Sequence, residues 1–171
     1  SRPYDGAMTS MADPGPEPTR GSQRLEPGPS ARQAPGRLVS RVILLAEGLE
    51  QAFARHARAS RALTAGLEAM GLKLFGDQRH KMANVTGVHI PQGVDGEKVR
   101  RALLDDFNIE IGTSFGPLHG RIWRIGTMGY NARADAVLNT LGALDAILSR
   151  EKYKLPRGAA VDAALEVYRG G

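Results

Sequence analysis

The chain has 171 residues, a formal charge of +5, 42% hydrophobic residues and no cysteine. That length accommodates one domain with a real core, and the lack of cysteine excludes a disulfide scaffold and thiolate metal sites. No apolar run approaches the roughly 18 residues of a membrane span, and no charged-then-apolar signal pattern opens the chain, so a cytoplasmic protein without membrane contact is expected.

Composition is uneven along the chain. Residues 1–36 hold seven of the ten prolines and five of the 21 glycines, with Tyr4 as the one aromatic. Arg2, Arg20, Arg24 and Arg32 balance Asp5, Asp13, Glu17 and Glu26, so the excess charge belongs to residues 37–171. Runs such as Asp13-Pro14-Gly15-Pro16-Glu17-Pro18 and Glu26-Pro27-Gly28-Pro29 remove backbone donors and bury nothing that offsets ordering entropy. Residues 1–36 are therefore expected to be a disordered Pro/Gly-rich segment. No repeated P-x-x-P core marks them as a recognition motif.

From Leu38 the pattern turns helical. Leu45, Leu49, Phe53, His56, Leu63, Leu67 and Met70 recur at spacings of three and four, which predicts one buried face. Gly48 and Gly66 weaken that helix without breaking it, and Gly71 supplies a left-handed end. Leu38, Val39, Val42, Ile43 and Leu44 make a greasy entry to it. Leu72 to Phe75 and Asn84 to Ile90 read as strands. Asp95 suits an N-cap with Glu97 in the first turn, and Val99, Leu103, Leu104 and Phe107 give the helix that follows an apolar stripe. Strands at 109–111 and 121–125 flank a loop at 112–120. Asn131 is placed to cap a long helix with Val137, Leu138, Leu141, Leu144, Ile147 and Leu148 on its buried face, and a short helix at 159–168 ends the pattern. This order predicts an α+β fold, a small, largely antiparallel sheet covered on one side by helices. The expected divisions are 1–36, 37–155, and a short C-terminal helix or tail at 156–171.

Few residues carry a chemical signature. His56, His80, His89 and His119 lack metal-ligand spacing, so no metal site is expected, and His56 on the apolar stripe reads as a satisfied core histidine. No nucleophile elbow, phosphate loop or dinucleotide fingerprint is present. The Gly112–Gly116 loop offers two glycines and two hydroxyls, which fits a plain strand connection better than an anion site. Arg55, Arg58 and Arg61 recur every three residues, with Arg100 and Arg101 adding charge. Glu47, Glu50 and Glu68 punctuate that helix and no aromatics interleave, so a solvated face is expected rather than a nucleic-acid surface. Arg124 differs. In a strand, either face puts it among apolar neighbours, where a guanidinium needs a carboxylate or phosphate. Its planar fork suits a substrate carboxylate; an internal Asp or Glu is the alternative.

The run Ile109-Glu110-Ile111-Gly112, Gly116-Pro117, Gly120 and Arg121-Ile122-Trp123-Arg124-Ile125-Gly126-Thr127-Met128-Gly129 resembles class V pyridoxal-phosphate aminotransferases. The nearest group is the alanine–glyoxylate, serine–pyruvate and ureidoglycine–glyoxylate enzymes. Glu47-Gly48-Leu49-Glu50, Phe53-Ala54-Arg55-His56 and Gly66 to Leu72 are similar to the same group, and the resemblance covers roughly residues 37–155.

The resemblance implies the small C-terminal domain of a fold-type I aminotransferase. Arg124 matches the arginine that grips the substrate α-carboxylate, no catalytic residue is assigned, and the cofactor-binding residues are left open. It further implies pyridoxal 5'-phosphate as cofactor, a small amino acid and a 2-oxo acid such as glyoxylate as substrates, and a homodimer. Lys73, Lys81, Lys98, Lys152 and Lys154 all lie outside the family's Schiff-base context. The chain is thus expected to be inactive alone and to derive from a truncated or frameshifted reading frame. A stand-alone α+β carboxylate-binding or interaction module is the rival reading.

Overall fold

The computed structural model describes Val42 and residues 45–170. The Pro/Gly-rich segment at 1–36, and Leu38, Val39, Ile43 and Leu44 of the greasy entry, lie outside the described residues. Helix α1 (Leu49–Ala69) comes first, then strand β1 (Val85–His89), helix α2 (Gly96–Phe107), strands β2 (Gly112–Thr113) and β3 (Ile122–Gly126), and helices α3 (Ala134–Arg150) and α4 (Ala159–Arg169). The three strands form one antiparallel sheet in the order β1-β3-β2. This is the α+β arrangement predicted from the element order.

Strand alternation sorts the sheet into two faces. Thr86, Val88, Trp123 and Ile125 are buried with Leu63, Leu67, Leu141, Leu144 and Leu148. Trp123 is fully buried, and its indole N–H donates to the Gly96 carbonyl at 3.1 Å, which satisfies its polar edge at the start of α2. The other face carries Gly87, Arg124 and Gly112, which stand opposite one another across the three strands.

The expected stripe of α1 holds in its second half, where Leu63, Leu67 and Met70 are fully buried, and fails in its first. Leu45, Leu49 and Phe53 are exposed, while Ala52, Ala59, Ala62, Leu63, Gly66 and Leu67 face inward. Small residues here let neighbouring helices approach. A Cβ on Gly66 would stand 2.4 Å from Leu141 Cδ1 and 2.9 Å from the Ala160 carbonyl. Gly48 does interrupt the helix, because it adopts φ 84° and ψ 147° directly before α1, a conformation that costs any residue with a Cβ. Two of the three arginines expected on a solvated face are half-buried and engaged. Arg55 pairs with Glu47, and Arg58 donates to the Tyr168 carbonyl at the end of α4, with its guanidinium over the Tyr168 ring.

Other boundaries shifted for local reasons. Leu72 to Phe75 contributes only a bridge, Leu74 to Val88, flanked by the Phe75 N–H to Gly87 O and His89 N–H to Lys73 O bonds. Ile109 is not in a strand, because its amide donates to Leu103 O and closes α2 over left-handed Asn108. The strand therefore starts later, at Gly112. Asp95 caps α2 as predicted, accepting from the Glu97 and Lys98 amides at 3.0 and 3.1 Å. Asn131 does not cap α3. It ends a 3-10 turn at Gly129–Asn131, and Arg133 occupies the N-cap position, its side chain held by Asp135. Asp145 on α3, largely buried, accepts from the Gly158 amide at 2.8 Å and so ties the start of α4 to the core.

Candidate functional site: an open sheet face around Arg124

Arg124 sits at the centre of β3, the middle strand, on the face away from the helices. Its neighbours across both ladders are glycines, Gly87 on β1 and Gly112 on β2, so no side chain flanks it along the sheet. A Cβ on Gly112 would lie 3.6 Å from both Nε and Nη2 of Arg124, which shows that the guanidinium rests on that glycine. Nε donates to the Thr113 carbonyl at 2.9 Å, and the guanidinium carbon stands 5.1 Å from the Phe115 ring centroid. One edge of the fork is thereby fixed and one flat side stacked. Among the described residues, no hydrogen-bond acceptor meets either terminal nitrogen, and no carboxylate lies within ion-pair distance of Arg124.

This corrects the sequence argument for Arg124 while keeping the residue. Arg124 is exposed, so burial does not force a partner on it. The alternative of an internal Asp or Glu is not realised among the described residues. What the fold supplies is a pre-oriented fork above a glycine floor. Three exposed apolar side chains share this face of the sheet. Phe115 stacks on the guanidinium, Phe75 lies over Gly87, with its Cβ 3.2 Å from where a Gly87 Cβ would be, and Met128 Cε lies 3.4 Å from the Cβ position of Gly126. Neither Gly87 nor these three residues were singled out from sequence. A glycine inside a strand pattern, flanked by Thr86 and Val88, is the signal that marks such a close approach.

The rest of the predicted loop shapes this edge. Gly112 and Thr113 become β2, Ser114 is nearly buried, and left-handed Gly116 opens a 3-10 turn. His119 Nδ1 lies 3.2 Å from the Ser114 carbonyl and closes the loop. Beyond Phe75, Asp77 takes hydrogen bonds from the Arg79 side chain and backbone and from His80. Those bonds, the Arg79 side chain foremost, hold the Asp77 carboxyl down at about 2.

His56 is half-buried and satisfied on both ring nitrogens. Nδ1 lies 2.6 Å from the Ala52 carbonyl, and Nε2 accepts from the Gly129 amide at 3.0 Å. Beside it Arg55 donates to the Gly129 carbonyl at 2.8 Å and the Ala132 carbonyl at 3.2 Å, and also pairs with both Glu47 oxygens. That pairing holds the Glu47 carboxyl below its ordinary range.

A separate cavity of about 590 Å³ opens between the end of α2, the end of β3 and α3, lined by Asn108, Glu110, Thr127, Asn131 and Asn139 among others. Neither Arg124 nor any lysine lines it. Lys73, Lys98, Lys152 and Lys154 are exposed, Lys98 pairing with Glu151. Lys81 is half-buried, donates to Thr64 Oγ1 at 2.6 Å, and is pushed below its usual range by burial. No group of three or more His, Cys, Asp or Glu side chains gathers for a metal among the described residues. No described helix is long and apolar enough to cross a membrane.

No family model matches the chain, but individual proteins do. It is 55% identical over 126 residues to the (S)-ureidoglycine–glyoxylate transaminase of Bacillus subtilis (strain 168), covering 74% of this chain and 30% of that protein. The alanine–glyoxylate aminotransferase of Mus musculus is 36% identical over 118 residues, covering 68% of this chain and 28% of that one. Among solved structures, the ureidoglycine–glyoxylate aminotransferase from Bacillus subtilis superposes with a TM-score of 0.74 at 53% identity, covering 75% of this chain and 33% of that one. The pyridoxamine–pyruvate aminotransferase from Mesorhizobium loti gives a TM-score of 0.73 at 32% identity, covering 77% and 34%. The chain spans about a third of the length of the curated relatives it matches.

Proposed function

Because this chain belongs to the glyoxylate-aminotransferase family and matches the C-terminal part of those enzymes, we propose that it supplies the carboxylate grip of a transaminase. That enzyme moves an amino group from a small amino acid (alanine, serine or ureidoglycine) to glyoxylate or another 2-oxo acid. The observation that carries the reading is Arg124, a guanidinium fixed through Nε, stacked on Phe115, with its terminal nitrogens facing open space above glycines. Donor and acceptor of such a reaction each carry a carboxylate beside the reacting carbon, so one fork serves both halves of the cycle. A bidentate pair fixes the orientation as well as the position of the bound molecule. Holding the reacting carbon in one place converts part of the barrier into binding already accomplished.

Pyridoxal phosphate supplies the electron sink of such chemistry when bound. The described residues do not fit it by themselves. A Schiff-base lysine has to reach a shared pocket with the substrate, yet four of the five lysines are exposed and Lys81 is committed to Thr64. Cofactor binding in this reading falls to residues outside the described segment, within an intact and dimeric enzyme, and the chain alone is inactive.

Mixing the chain with pyridoxal phosphate, reducing with borohydride and mapping the lysines by mass spectrometry tests this. Scattered, substoichiometric labelling without alanine–glyoxylate turnover is expected. A stoichiometric adduct at one lysine, accompanied by turnover, overturns the assignment of the cofactor to another segment. A stand-alone carboxylate-binding module is the second reading, favoured by a core that closes around Leu63, Trp123 and Leu144 from this chain's own elements.

A further inference from the structure

The turn that follows β3 is held from outside by two adjacent residues of α1. Gly129 has φ 54°, and inside the turn Asn131 N–H bonds to Met128 O and Ala132 N–H to Gly129 O. The Gly129 amide goes to His56 Nε2, and its carbonyl, with that of Ala132, receives Arg55 Nη1. Both polar groups of one glycine are thus gripped by consecutive side chains. A backbone N–H only donates, so Nε2 must be the acceptor and the imidazole proton sits on Nδ1, aimed at the Ala52 carbonyl. Arg55 is itself anchored by Glu47 through two bonds, so its reach to the turn is fixed rather than floppy.

The geometry points to Arg55 and His56 as positioning residues for the Arg124 site, acting through the Gly129 turn to set Met128 over the glycine floor beside the guanidinium. The inference rests on the carboxylate reading of Arg124. Met128 directly precedes Gly129, and its Cε lies over Gly126, two residues from Arg124 on the same face of β3. Releasing the Gly129 amide leaves the peptide unit that aims Met128 held only by the Asn131 N–H bond to Met128 O, while β3 itself stays pinned by Thr127, whose amide and hydroxyl bond to the Asn84 and Ala83 carbonyls. The clamp therefore governs the wall of the site and not the strand.

The test uses the full chain with pyruvate as the probe, reading its dissociation constant by calorimetry, the Gly129 amide signal by NMR, and the melting temperature. His56→Leu removes the acceptor, and His56→Gln keeps an oxygen near the position of Nε2. His56→Leu is expected to weaken pyruvate binding about tenfold and to shift the Gly129 amide, and His56→Gln to restore binding to within about twofold. Met128→Ala is expected to weaken pyruvate as much as His56→Leu while the melting temperature holds, which a purely structural role for His56 would not produce. Unchanged binding in His56→Leu, or a His56→Gln protein as poor as His56→Leu, overturns the positioning role. An Arg124→Ala protein that binds pyruvate like the wild type, or a wild type that does not bind it, overturns the carboxylate reading and this inference with it. Loss of binding in Arg124→Ala alone, with the His56 and Met128 variants unaffected, overturns only the positioning role.

Discussion

Replacing Arg124 by alanine is expected to weaken glyoxylate and pyruvate binding by about 2 kcal/mol, or roughly thirtyfold, while lowering the melting temperature by only a few degrees. The two halves of that expectation follow from one fact, that Arg124 is exposed on the outer face of the sheet. Its internal bonds are a single hydrogen bond to Thr113 O and a stack on Phe115, together worth about 1 kcal/mol of stability. Its fork, by contrast, is the element a ligand carboxylate would need. Arg124→Lys keeps the charge but loses the planar pair of donors and is expected to recover only part of the affinity. Calorimetric titration of the three proteins, with thermal melts of each, checks the pattern. Equal affinity in all three would remove Arg124 from the site, and a collapsed melting temperature in the alanine variant would mark it as a structural residue instead.

The second expectation concerns two glycines in helices that respond in opposite directions to the same change. In an exposed helix interior, glycine to alanine stabilises by about 0.5–1 kcal/mol, because the unfolded chain loses freedom. Gly142, inside α3, has nothing within 4 Å of its Cβ position, and Gly142→Ala is expected to show that gain. A Cβ on Gly66 of α1 would stand 2.4 Å from Leu141 Cδ1 of α3 and 2.9 Å from the Ala160 carbonyl of α4, closer than real Cβ contacts come. Leu141 can move its tip, but a backbone carbonyl moves only with its helix. Gly66→Ala is therefore expected to destabilise by about 2–3 kcal/mol, in the range of overpacked cores. Denaturant titration of both variants decides it. A stable Gly66→Ala protein would mean that α1, α3 and α4 do not meet at this point.

Much of the architecture was legible because apolar periodicity and capping chemistry act locally. Asp95, with Glu97 after it, announced α2, and the leucines of α3 announced their own face. The failures share a cause in contacts between distant segments. The periodicity of α1 rightly marked Leu63, Leu67 and Met70 but also Leu45, Leu49 and Phe53, which are exposed; the rest of the interior face is built from alanines and Gly66, which carry little hydrophobic signal but let helices come close. Ile109 looked like a strand until its amide was taken by the end of α2. Asn131 is a good capping residue in the wrong place, since the Gly129 turn consumes three residues before α3 begins. At the site, the identity of Arg124 was legible and its environment was not. Which strand face is covered depends on where the helices land, and the glycines opposite it belong to strands whose register no single segment reveals.

The buried indole one residue from Arg124 makes the molecule its own optical gauge. Trp123 is the sole tryptophan, it points to the opposite side of the sheet from the guanidinium, and its N–H is tied to Gly96 O. Its emission is therefore a colour reading of the interior, red-shifting when the β3–α2 junction opens to water. Carboxylates arriving on the far side of the strand do not meet the indole, so a change in its emission colour reports loss of the fold and not loss of the ligand.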